Sequence, residues 1–261
     1  MTWADIPLTV WPHDLDLSVL GDLRGDHRVA VIIPAQNEAP TVGAVLDAVR
    51  ASDHLVPGLV SELIVVDDHS TDDTATVASR HGARVVTLEG PGGKGQAMAA
   101  GLAATTADLV VYLDADVTNT TAEFVPRLVA PLLLHDSIML VKAFYERPLH
   151  GMPTGGGRVT ELTARPVLSL LFPGLGEIRQ PLAGETAGRR DVLTTIGFES
   201  AYGVEIALLI DVARTYGVSA LAQVDLGIRR HRNRPIEELR PMSMDVLRAA
   251  LVRYGITLPE H

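Results

Sequence analysis

Two carboxylates one residue apart, Asp114 and Asp116, follow the apolar run Leu109-Val110-Val111-Tyr112-Leu113. Anions held that close repel each other unless a cation lies between them or one takes up a proton. A hard divalent ion such as Mg²⁺ suits oxygen ligands and usually shares them with substrate phosphates. The pair therefore predicts a metal–diphosphate site at the carboxyl end of a strand, where open α/β sheets bind their ligands. Aspartate pairs also occur in plain turns, so the surrounding clusters matter. Three more polar clusters each follow a predicted strand: Pro34-Ala35-Gln36-Asn37-Glu38, Asp67-Asp68-His69-Ser70 and Gly90-Pro91-Gly92-Gly93-Lys94. A parallel sheet brings such positions to one edge. There an aspartate such as Asp68 could accept from a ribose hydroxyl or a uracil N–H. The glycine loop lacks the spacing of a P-loop. Its glycines nonetheless permit close backbone approach to a ligand, and Lys94 adds a point charge.

A second set of cations lies later in the chain. Arg229-Arg230-His231-Arg232-Asn233-Arg234 precedes Pro235. Arginine forks match phosphate oxygens, and His231 is a candidate third metal ligand beside the two aspartates. Arg158 follows Gly155-Gly156-Gly157, with Thr160 two residues on as a helix cap. That arrangement predicts a separate anion pocket at a helix N-terminus. Two anion sites suit a donor diphosphate and a charged acceptor. Glu205 opens an apolar helix, where it could either complement the helix dipole or bind sugar hydroxyls.

These groups need a scaffold, and the pattern supplies one. Apolar runs at 28–33, 62–66, 83–88 and 109–113 alternate with helical patterns at 40–51, up to Arg80, and from the glycine loop to about Thr105. Thr41 is placed to cap the first helix, and Ser70 and Asp72 the second. Strand–helix alternation through residue 131 predicts a parallel α/β sheet with right-handed crossovers. Beyond it we expect a strand at 138–144, a helix from Thr160 to about Leu171, an irregular stretch at 174–188, helices at 204–216 and 236–254, and a strand at 220–226. The organisation expected is an N-terminal arm (1–27), a catalytic domain (28–235) in two halves (28–131 and 132–235), and a C-terminal helical segment (236–261).

Composition narrows the partners. At 261 residues and 47% hydrophobic the chain can bury a large core, while a net charge of −10 argues against nucleic acid and anionic membranes. No cysteine is present, which removes disulfide and thiolate chemistry. Residues 1–15 lack a basic segment followed by an apolar one, and no apolar run approaches the roughly 18–20 residues of a membrane helix. A cytoplasmic location is expected.

The first-half clusters resemble those of family-2-type glycosyltransferases with the GT-A fold, a Rossmann-like, mostly parallel sheet with helices on both faces. Four later motifs are more specific. Gly155-Gly156-Gly157-Arg158-Val159-Thr160-Glu161-Leu162, Gln180-Pro181-Leu182-Ala183-Gly184-Glu185, Tyr202-Gly203-Val204-Glu205-Ile206 and His231-Arg232-Asn233-Arg234-Pro235 resemble the actinobacterial glucosyl-3-phosphoglycerate synthases. The likeness runs from about residue 29 to 250. It implies retaining transfer of glucose from UDP-glucose to the 2-hydroxyl of 3-phosphoglycerate, assisted by Mg²⁺ or Mn²⁺, in a homodimer. By position, Pro34, Ala35, Glu38, Asp68, Ser70 and Lys94 would hold the uridine end. Asp114, Ala115 and Asp116 would face ribose, diphosphate and metal. His231 would join Asp116 on the metal, while Arg229 and Arg234 would touch the diphosphate. Gly157, Arg158, Thr160 and Asn233 would hold the acceptor, and Leu182 and Glu205 would lie at the glucose.

Alternatives stand beside this reading. One is a related transferase with another nucleotide sugar or another phosphorylated or carboxylated acceptor. Another is a phosphatase of the haloacid-dehalogenase type, in which Asp114 would attack phosphorus. A third is a nucleotide-binding module without turnover.

Overall fold

Alternate residues of a strand point to opposite faces of the sheet, and in the central strands here both faces are dry. Val29, Val31 and Ile33 enter one apolar cluster, and Ile32 enters the other. Leu109 and Val111 likewise part from Val110 and Tyr112. Continuous apolar runs are what strands buried on both faces require.

The computed structural model describes residues 6–149, 152–155, 157–230 and 236–259. Its strands are β1 (Leu8–Val10), β2 (Val29–Ala35), β3 (Glu62–Asp67), β4 (Arg84–Thr87), β5 (Leu109–Tyr112), β6 (Leu140–Glu146), β7 (Pro148–Leu149), β8 (Met152–Gly155), β9 (Thr186–Arg189) and β10 (Leu221–Ile228). The helices are α1 (Leu20–Arg24), α2 (Val42–Ala51), α3 (Thr74–Arg80), α4 (Lys94–Ala103), α5 (Phe124–Leu134), α6 (Arg165–Leu171), α7 (Arg190–Ile196), α8 (Val204–Tyr216) and α9 (Ile236–Tyr254). The main sheet runs β1-β10-β6-β9-β5-β2-β3-β4. Its pairs are parallel except those made by β9, which lies antiparallel between β5 and β6. Buried residues of α2 and α5 pack on one face, and those of α4, α6, α8 and α9 on the other. This is the GT-A architecture expected from the sequence. Among the described residues no helix is long and apolar enough to cross a membrane.

Local differences have physical reasons. Strand β2 does not stop before Pro34 but continues to Ala35. Pairing with β5 ends at Ile32–Tyr112, whereas pairing with β3 continues to Ala35–Asp67. The Ile32 carbonyl accepts from Leu113, and the Ala35 carbonyl from Asp68. By alternation Pro34 faces the β5 side, beyond the last paired residue, where a missing N–H costs nothing. There β5 turns away from β2, and a cleft begins.

The stretch 174–188, expected to be irregular, contains most of β9. The stretch read as an arm supplies the edge strand β1, fixed by Gln223 Nε2 donating to Thr9 Oγ1 at 3.0 Å and by Trp11 stacking edge-on against Phe144 at 5.2 Å. Thr41 stands at the start of α2, but its hydroxyl donates back to the Glu38 carboxylate at 2.9 Å. Ser70 does not cap α3; its hydroxyl accepts from the Asn37 N–H. Thr160 caps nothing either. It is buried inside a helical stretch that starts at Arg158 and includes a π-helical turn at Thr160–Ala164.

Candidate active site

Two tight turns end β2 and β3, with Asn37 and His69 at φ +56° and +57°. Asparagine tolerates that left-handed region better than most residues. The turns lock together through Ser70 Oγ, which accepts from the Asn37 N–H, and Asn37 Oδ1, which accepts from the Thr71 N–H. Asp68, 6% exposed, accepts from the Gly93 N–H at 2.8 Å, while its other oxygen meets His69 Nδ1 at 2.8 Å. Asp68 therefore fixes the glycine loop that leads into Lys94. Gly95 has to be glycine: a Cβ there would overlap the Glu199 carbonyl.

Lys94, the first residue of α4, reaches two carboxylates: Asp114 Oδ1 at 2.7 Å and Glu205 Oε1 at 2.6 Å. Arg229 NH2 meets Asp114 Oδ2 at 2.5 Å and Asp116 Oδ1 at 3.4 Å, and its Nε lies 3.0 Å from buried Glu185. Burial alone would push the Lys94 ammonium toward neutrality, but Asp114 and Glu205 outweigh it and hold the proton far more firmly than usual. Burial likewise opposes ionisation of Asp114, and Lys94 and Arg229 more than compensate, holding its carboxyl well below the usual range. Lys142, on β6 beneath them, is pushed down to about 8 by burial, with Glu205 opposing. Lys94, Lys142 and Arg229 thus balance Asp114, Glu185 and Glu205. Asp116, at the cleft, meets Arg229 at the longer distance of 3.4 Å.

One cleft of about 370 Å³ gathers these groups. Pro34, Ala35, Glu38, Asp68, Lys94, Asp114, Ala115, Asp116, Gly157, Arg158, Thr160, Leu182, Glu205 and Arg229 all line it. Ser70 is not in its wall and acts on it only through Asn37. His231, Asn233 and Arg234 fall outside the described residues. The loop that leads to them is anchored: the Arg230 carbonyl accepts from the Thr118 N–H, and the Arg230 N–H donates to Asn119 Oδ1 at 2.7 Å.

Gly157, also in the cleft lining, has φ +74° and delivers the chain into the helical stretch that begins with Arg158. The first N–H groups of a helix have no partner within it, so this start favours an anion. Sequence reasoning missed three contributors. Arg147, just past β6, lines the cleft, adds to the positive field on Asp114, and stacks over Tyr145 at 5.3 Å. Its place after a strand end was the available signal. Lys142 gave no sign, being one lysine within an apolar run. Leu239, Met242 and Val246 of α9 complete the wall with Tyr202, so the C-terminal helix closes the site. Met244, two residues on, is half exposed.

The residues fit a hard divalent cation. Among the described residues the cleft offers the carboxylate of Asp116 as an oxygen donor, and no three His, Asp or Glu side chains form a closed cage. A magnesium-type ion suits one or two protein carboxylates completed by phosphate oxygens.

The sequence signature described as "Glycosyl transferase family 2" matches residues 30–166. Glucosyl-3-phosphoglycerate synthase of Mycobacterium tuberculosis is 49% identical over 247 residues, covering 89% of this chain and 75% of that protein. The protein of that name from Petrotoga mobilis is 41% identical over 241 residues, covering 88% and 74%. The crystal structure of the M. tuberculosis enzyme in complex with Mn²⁺, UDP-glucose and phosphoglyceric acid superposes with a TM-score of 0.88 at 46% identity, covering 96% of this chain and 88% of that one. A complex of the same enzyme with Mg²⁺ and UDP gives 0.88 at 45% identity over 96% and 88%. These likenesses decide against a phosphatase, and the chain belongs to glycosyl transferase family 2 and, within it, to the glucosyl-3-phosphoglycerate synthases.

Proposed function

We propose that the protein transfers glucose from UDP-glucose to the 2-hydroxyl of 3-phosphoglycerate with retention at the anomeric carbon. The observation that carries this reading is the meeting, in one cleft, of the Lys94–Asp114–Arg229 cluster with the helix start at Arg158. Such a cleft suits two anionic molecules side by side. Pro34, Ala35, Glu38, Asp68 and Lys94 receive the uridine end, with Ser70 supporting the turn behind them. Asp114 and Ala115 face ribose and diphosphate, and Arg229 and Arg234 contact the diphosphate. Gly157, Arg158, Thr160 and Asn233 hold the phosphoglycerate. Residues 28–131 thus serve mainly the donor and 132–235 the acceptor, between the segments 1–27 and 236–261.

Asp116 and His231 would hold Mg²⁺ or Mn²⁺, which as a Lewis acid draws charge from the departing diphosphate. The chain itself does the rest. Arg229 meets developing charge with a guanidinium kept protonated by Glu185 and the aspartates, despite burial. Glu205 and the wall at Leu182 orient the hexose, while Tyr202, Leu239 and Val246 help exclude water. In the transfer the bond from C1 to the diphosphate oxygen breaks, and the bond from C1 to the acceptor oxygen forms on the same face. The acceptor proton passes to the leaving phosphate, so no protein base is required.

The enzyme is further proposed to act as a cytoplasmic homodimer, with neither nucleic acid nor membrane as a partner. The direct test is UDP release from a panel of nucleotide sugars crossed with 3-phosphoglycerate, glycerate and other phosphorylated acids. Turnover confined to UDP-glucose with 3-phosphoglycerate is expected; preference for another pair would reassign the substrates.

A further inference from the structure

Lys142 is 1% exposed, and no bound substrate is needed to see what it holds. A buried ammonium is costly unless its donors are satisfied. Here Nζ donates to the Ala183 carbonyl and to Thr186 Oγ1, the latter at 2.9 Å. Lys142 and Thr186 are also register partners across β6 and β9. The Ala143 N–H donates to the Glu185 carbonyl at 2.9 Å, and Thr186 Oγ1 itself faces the Ala183 carbonyl at 3.3 Å. Every one of these bonds restrains the turn that carries Leu182 into the cleft wall. The opposite side of the turn is equally constrained. Gly184 lies on Asp114 so closely that a Cβ would overlap the carboxylate. The turn is therefore gripped between the acidic pair above it and a lysine below.

We infer that Lys142 is a positioning residue for glucosyl transfer, fixing the Leu182–Gly184 turn so that its face toward the hexose is set before the donor binds. This rests on the donor assignment made above. It predicts an effect on the sugar and none on the nucleotide, because Lys142 touches the turn and not the uridine or diphosphate side of the cleft. Glu205 and Glu185 supply the negative field that keeps the ammonium charged, against burial and Lys94.

The experiment uses Lys142→Met, close in volume and unable to donate, and Thr186→Val, which removes one acceptor and keeps the lysine. Calorimetry measures UDP and UDP-glucose binding in Mn²⁺, kinetics gives kcat and KM, and melting reports the fold. Removing one partner of a buried set of charges usually destabilises, so Lys142→Met is expected to melt lower than wild type, and Thr186→Val, which keeps the charge, to melt lower by less. We expect UDP affinity at wild-type levels in both variants at temperatures well below melting. UDP-glucose affinity should fall, and kcat should fall about ten- to a hundredfold in Lys142→Met and by less in Thr186→Val. Parallel loss of UDP and UDP-glucose binding, a kcat that returns to wild type at an assay temperature well below melting, or wild-type kcat in both variants would each overturn the inference. If Lys142→Met does not fold, Thr186→Val alone decides by the same readings. Wild-type enzyme that releases no UDP on addition of phosphoglycerate would instead refute the substrate assignment, and the UDP versus UDP-glucose comparison would still report on Lys142.

Discussion

Lys94 at the start of α4 and Glu205 at the start of α8 meet at 2.6 Å, joining the nucleotide-side loop to the apolar helix behind the sugar wall. A second arm of the same ammonium holds Asp114 at 2.7 Å. One cation therefore sets the spacing of two carboxylates, one beside the proposed metal site and one beside the proposed hexose. Glu205→Gln keeps the shape and removes the charge. It should lower kcat by about a hundredfold, the usual scale for a lost preorganised electrostatic contact, while UDP affinity measured by calorimetry changes little. An equal loss in both would place Glu205 on the nucleotide.

Asp116 lines the cleft and meets Arg229 at 3.4 Å, a looser contact than the 2.5 Å between Arg229 and Asp114. Asp116→Ala should abolish the gain in UDP affinity that Mg²⁺ or Mn²⁺ provides, while leaving the weak metal-independent binding. Titrations with and without metal read this directly. Unchanged affinity in Mg²⁺ removes Asp116 from the metal site.

Arg158 opens the helical stretch that lines the same cleft as the acidic pair. Arg158→Ala should raise KM for 3-phosphoglycerate far more than KM for UDP-glucose. Charge-assisted bonds contribute about 1.5–3 kcal/mol each, so a rise of about ten- to a hundredfold is expected. Equal rises in the two KM values would argue against separate anion pockets.

Lys142 also has a pH signature. Its folded pKa, pushed down to about 8 from the ordinary 10.5, means that between those values the unfolded chain binds a proton that the folded chain does not. Stability rises with pH where the unfolded state holds more protons. The cost of burying the charge is thus fully present below pH 8 and is relieved as pH climbs toward 10.5. Melting temperatures of wild type relative to Lys142→Met should therefore improve between pH 8 and pH 10, and a difference that stays flat across this range contradicts the assignment.

What the sequence disclosed, and what it hid, follows from the range of the forces involved. The strands β2, β3 and β5 were legible because doubly buried strands must be apolar throughout. Asp68, Asp114 and Asp116 were legible because each comes just after such a strand, and Lys94 because it ends the glycine loop that follows edge strand β4. Strand β9 was hidden: four residues that include Gly188 carry no pattern, and only pairing with β5 and β6 makes them a strand. Edge strand β1 depends in the same way on β10 and on Trp11 packing against Phe144. The hydroxyls of Thr41 and Ser70 had local caps to make but found nonlocal or backward partners, Ser70 in the neighbouring turn and Thr41 in Glu38. Lys142 and the α9 wall reach the site only through tertiary contacts, which no spacing along the chain encodes.

The account turns on two anions lying side by side, one against Asp116 and Arg229, the other against Gly157, Arg158 and Thr160. A crystal structure of this protein with UDP, Mn²⁺ and 3-phosphoglycerate tests it most directly. The account predicts the diphosphate and metal at Asp116 beneath Arg229, with the phosphoglycerate phosphate at the helix start that Arg158 opens. Phosphoglycerate bound elsewhere, or a nucleotide whose diphosphate leaves Asp116 and Arg229 facing solvent, would contradict it.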